Sequence, residues 1–144
     1  MASKLFGSVV AKAFNKEIDL DSDTIKVALL TSSFTPNQDT QDYFDDVSTN
    51  EVTGTGYTSG GATLSTKSVS YNSSTNEFVF DADDVTWASS TITARFAVIY
   101  DASPATNATR PLIGYVDFTS DQSSTNGNFT VTWDAAGIFK FTVA

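Results

Sequence analysis

The chain of 144 residues has neither cysteine nor histidine, which excludes disulfides, thiolate and imidazole metal sites, thiol catalysis and any mechanism built on a histidine base. Eight Lys and Arg against seventeen Asp and Glu leave a formal net charge of −9, a balance that repels phosphate backbones and speaks against direct nucleic-acid binding. The length suits one domain with a core large enough to need no covalent staple, and no stretch approaches the run of apolar residues that a membrane helix needs.

Residues 3–16 predict a short amphipathic helix. Leu5, Phe6, Val9, Val10, Ala13 and Phe14 recur at helical spacing, with Lys4, Ser8, Lys12 and Asn15 opposite and Ser3 as the cap. Gly7, Ser8 and Lys12 break the run too often for a cleaved signal sequence. A helix this short is marginal alone in water, so its apolar face must dock. Phe6, Val9, Val10 and Phe14 are therefore the candidate interface. They meet either the chain's own domain or, the preferred option, a neighbouring subunit or partner. On this reading residues 1–17 are a helical segment or arm and residues 18–144 a β-sandwich domain.

From Thr24 the pattern changes to period two. Ile25, Val27 and Leu29 share one face of a strand and Leu30 adds apolarity to the other, so the strand reads as covered on both sides. Thr35-Pro36 then reads as a helix start, predicting a short helix over residues 36–47 with Asp39, Asp42, Asp45 and Asp46 on a solvated face. After a glycine-rich stretch, EVTGTGYTSGGATL, short runs rich in Val, Ile, Phe, Tyr, Trp and Thr follow at even spacing. Turn signals such as Asp83-Asp84, Ser103-Pro104 and Asn126-Gly127 separate them. The expected fold is all-β: a single-domain β-sandwich of about eight strands with two short helices, and ITARFAVIY as a central strand.

Several motifs resemble sites. Asp19, Asp21 and Asp23 have the spacing of the first ligands of a calcium loop, but Thr24 and Leu30 stand where glycine and glutamate belong. No metal and no cofactor is expected. Asp81, Asp83 and Asp84, with Asp101, Asp117 and Asp121 as neighbours, offer carboxylates for acid–base work, yet aspartates in turns commonly bond the local main chain. GTGYTSGG lacks the pattern of a phosphate loop and reads as a tight turn. Trp87 and Trp133 would have to form any sugar-binding platform, but both alternate in phase with buried-looking neighbours.

The strings IDLDSDTIKVALLTSSFTPNQDTQDYFDDVSTNEVTGTGYTSGGATL and DADDVTWASSTITARFAVIYD, followed by PLIGYVDF, resemble small virion proteins of tailed bacteriophages. The likeness runs from about Ile18 to the C-terminus, and EVTGTGYTSGGATL is its most distinctive part. The resemblance implies a non-enzymatic capsid decoration, or cement, protein. It would be made in the host cytoplasm and bound to the major capsid protein on the outer head surface, as a homo-oligomer, trimer or dimer. The alternatives are a tail, neck or head-fibre component and a carbohydrate-binding β-sandwich module.

Overall fold

A computed structural model describes residues 3–143. Of the two sequence units, residues 1, 2 and 144 lie outside the described residues. The fold is a sandwich-like all-β arrangement of two antiparallel sheets. The larger has the order β1-β7-β6-β2-β3, with β1 Ser3–Leu5, β2 Ile25–Leu30, β3 Ala62–Thr63, β6 Val85–Asp101 and β7 Leu112–Val131. The smaller has the order β4-β5-β8, with β4 Ser68–Asn72, β5 Glu77–Asp81 and β8 Phe139–Thr142. Two short helices, α1 Val9–Phe14 and α2 Asp45–Ser48, and one 3₁₀ turn complete it.

The spine is the β6–β7 hairpin. Its half nearest the turn alternates apolar residues onto both faces, so each face needs a cover. Ile25, Val27, Leu29, Ala97, Ile99 and Ile113 face the small sheet and pack with Phe80 and Phe139. Ala28, Leu30, Phe96, Val98, Tyr100 and Tyr115 face the other way, where Phe6, Phe34, Phe44 and Val47 cover them. Phe44 stacks on Tyr100 at 3.9 Å between centroids, and Phe34 meets Phe96 edge-on at 5.2 Å. Such pairs contribute about 0.5–1.5 kcal/mol each beyond their burial. The expected double cover of β2 and the central place of ITARFAVIY are both observed.

Among the described residues there are eight strands, but not the eight that turn spacing suggested. The runs around DVTWA and ITARFAVIY are one strand, β6, and PLIGYVDF continues through NFTV as β7. Asn126-Gly127 is not a turn. Bulges absorb the irregularities, with left-handed backbone at Ser89, Thr119 and Asn126, and residues 118–121 bulge out opposite Arg95. Hydroxyl pairs across the ladder, Thr86–Thr130 at 2.9 Å and Thr93–Ser123 at 2.7 Å, keep the strands joined past the bulges.

The predicted helix over residues 3–16 is shorter. Residues 3–5 form β1, because β7 offers them an edge at Gly114, where a Cβ would lie 2.7 Å from the Lys4 carbonyl oxygen. Ser3 caps nothing; its hydroxyl donates to the Ile138 carbonyl. Lys12, expected on the polar face, is buried. Its ammonium donates to the Asp42 carbonyl at 2.6 Å, pairs with the Asp42 carboxylate at 3.6 Å and lies 3.4 Å from the centre of the Tyr43 ring.

The predicted helix over residues 36–47 shrinks to α2. The Asn37 side chain accepts from the Asp39 amide, and the Asp46 carboxylate accepts from the amides of Asp42 and Tyr43. Local side-chain bonds thus replace the helical ladder. Main-chain bonds from Phe44 to Arg110 and from Leu112 to Asp42 also tie this segment to the start of β7.

The glycine stretch edges the large sheet. Gly61 has φ +71°, and a Cβ there would sit 1.9 Å from the Val27 carbonyl oxygen. Gly61→Ala is therefore expected to cost more than about 2 kcal/mol in denaturant unfolding, because both the backbone conformation and the β2–β3 contact oppose a side chain. Gly127→Ala, whose added Cβ meets nothing closer than 3.6 Å, serves as the control and should stay within about 1 kcal/mol.

Candidate interaction surface

The inner face of the small sheet outruns its cover. Register places Val69 beside Phe80 and Phe139 on one row and Tyr71 beside Phe78 and Phe141 on the next, all on one face. Phe80 and Phe139 are buried, whereas Val69, Tyr71 and Phe141 stand exposed. Across from them α1 presents Val10 and Phe14, the latter 85% exposed. Between helix and sheet lies a groove of about 340 Å³ with twelve lining residues, none of them charged. It is floored by Leu5, Val9, Ile18 and Phe139. All six large apolar side chains exposed among the described residues (Val10, Phe14, Val69, Tyr71, Phe141 and Val143) line this groove or the shallower hollow that continues it.

Of the four interface residues read from sequence, Phe6 and Val9 are buried within the chain, and Val10 and Phe14 are exposed at the groove. The sheet half of the surface was missed. Its signal was present as period-two alternation in Val69-Tyr71 and in Phe139-Phe141-Val143, but alternation shows only that residues share a face.

The other motifs are occupied by their own neighbours. The glycine stretch wraps around an internal anion: the Glu51 carboxylate accepts from the Tyr57 hydroxyl and the Gly60 amide, both at 2.6 Å, and from the Ser59 hydroxyl at 2.9 Å. The donors a phosphate would need are thus already engaged. Tyr57, half-buried and bonded to that carboxylate, has its phenol pKa pushed up. Asp19 accepts from the amides of Asp21 and Ser22, and its hydrogen bonds to Ser22, side chain first, hold its carboxyl below the usual range. Asp83 accepts from the Ser65 and Thr66 hydroxyls, and Asp84 from the Trp133 amide. Asp117 pairs with Arg95 at 2.7 Å. Among the described residues no three acidic side chains converge as a metal site, and no helix is long and apolar enough to cross a membrane. Trp87 and Trp133 lie in the core, so neither provides a sugar platform.

One carboxyl is set apart. Asp101, at the end of β6, is fully buried; one oxygen accepts from the Ser103 amide at 2.8 Å and the other has no hydrogen-bond partner among the described residues. Burial, reinforced by Asp23, pushes its pKa up to about 6.

Comparison of the chain with protein-family models, with curated proteins and with solved structures returns no match.

Two outcomes follow from these carboxylates. The folded form holds the Asp101 proton more tightly than the unfolded chain, so the stability it lends is complete below about pH 4 and is lost as pH rises through about 6. Asp101→Asn should therefore gain on the natural chain between pH 4 and pH 8 in paired urea melts, and a gap independent of pH would contradict the assignment. A chelator should leave Tm unchanged within about 2 °C, the scale of a small change in stability; a larger loss reversed by calcium would show a site at Asp19, Asp21 and Asp23.

Proposed function

We propose that this chain is a structural protein of a tailed-phage virion, a decoration or cement protein that binds the outer surface of the head and stabilises its lattice. Two lines support the reading. The first is the resemblance carried by EVTGTGYTSGGATL and the strings around it. The second, which carries the argument from geometry, is the uncharged, exposed groove between α1 and the small sheet. An exposed apolar patch of this kind marks an interaction surface, read here as one for another protein. Beside it lie Lys16 and the turn of Asp19, whose carboxylate is taken up by main-chain amides, and the chain has no histidine or cysteine.

The mechanism is adhesive. A protein that binds the assembled lattice of the major capsid protein better than the separated subunits shifts the equilibrium toward the lattice by mass action. Many symmetric copies multiply a modest contact energy. The carbohydrate-binding alternative loses its platform with the two buried tryptophans. A tail, neck or head-fibre role differs in stoichiometry: hundreds of copies per particle for decoration, few for the others.

Particles lacking the protein should assemble yet lose resistance to heat or low salt, and added protein should restore it. Copurification with tails, or a copy number too low to cover the head, would favour the alternative.

A further inference from the structure

The reading of the groove as an adhesive surface leaves its occupant unnamed. We propose that the occupant is a second copy of this chain, related by a two-fold axis, with Phe14 of each copy seated in the groove of the other.

Three observations carry this. The first is shape. A projecting knob and an uncharged hollow lie side by side on one face: Phe14 is 85% exposed at the rim of a groove of about 340 Å³. A surface that holds both a knob and its hole is self-complementary under two-fold symmetry, because each contact is made twice.

The second is area. Aromatic side chains offer roughly 150–250 Å² each, so Phe14, Tyr71 and Phe141 with the three valines leave on the order of 600 Å² uncovered per copy. That is at the upper end of what a monomer ordinarily exposes in one patch, about 300–600 Å². With its polar rim it approaches the roughly 800 Å² per partner of a standard interface.

The third is charge. Two copies at −9 each repel, so a self-contact needs a face without net acidity. The groove lining has no charged residue. The adjoining hollow carries Lys16 just after α1 and Asp19, Asp21 and Asp23 in the following turn, so the acidity lies at the rim and not in the groove. Across a two-fold axis Lys16 of one copy pairs with an aspartate of the other, which offsets part of the repulsion between the rims. The unit that sits on the head is then the dimer.

The experiment is sedimentation of the full chain at micromolar concentrations, with Phe14→Asp and Val10→Lys alongside and a thermal melt for each. Both positions are exposed, so both variants should fold and melt cooperatively, below the natural chain only by the concentration-dependent stability that dimerisation lends. The natural chain should sediment as a dimer. Phe14→Asp should raise the dimer dissociation constant at least about 100-fold, since two phenylalanines leave apolar surroundings per dimer. A monomeric natural chain, a trimer, or a dimer indifferent to both substitutions would overturn the proposal.

Binding to heads that lack the protein separates this inference from the decoration reading. A monomer whose head binding is lost in Phe14→Asp places the capsid in the groove, so the dimer fails and decoration stands. A dimer sensitive to both substitutions that never binds heads leaves the dimer standing and removes decoration.

Discussion

The rest of the structure depends on one constraint: the half of the β6–β7 ladder nearest its turn is apolar on both faces. Residues 96–100 of β6 and the facing residues of β7 present large side chains alternately up and down. A single covering layer would leave one set in water. The chain meets the demand with unequal covers. One is a regular three-stranded sheet. The other is the irregular segment 31–50 with α2, helped by Phe6 from the N-terminus. The stack of Phe44 on Tyr100 explains how so little regular structure suffices on that side.

The same demand accounts for the unusual loop after α2. The stretch opened by Glu51 must pass along the sheet edge closely enough for Gly61 to touch the β2 main chain. It carries few apolar side chains, so a carboxylate organises it from within. Tyr100 also contributes, donating to the Gly60 carbonyl at 2.8 Å, with its phenol pKa raised to about 12 by burial. A motif that resembles an anion-binding loop therefore contains its own anion.

The groove arises from a mismatch between the two layers. The large sheet is covered where it is apolar, but the small sheet extends an apolar row past the edge of its partner. The helix α1 narrows the gap without closing it. Its buried side is turned toward residues 42 and 43 by Lys12, which leaves Val10 and Phe14 at the rim. A lysine with two oxygen partners and an aromatic face thus sets which side of the helix remains exposed.

Much of the class was legible in the residues themselves. Period-two alternation, β-branched runs and the absence of helical stretches after residue 62 specify an all-β chain, because side chains in a strand alternate faces whatever the tertiary context. The double cover of β2 could be read from Leu29-Leu30 for the same reason. What sequence could not decide were the features that depend on a distant partner. Whether Asn126-Gly127 turns the chain or bulges within a strand depends on β6 lying alongside. Whether Ser3–Leu5 coils or pairs depends on Gly114, more than a hundred residues away. Whether Lys12 faces water or protein depends on the carbonyl of Asp42. Whether the face shared by Tyr71 and Phe141 is core or surface depends on how far the opposite sheet reaches. Local periodicity determines which residues lie together, whereas only the assembled layers decide which of those faces is left without a neighbour.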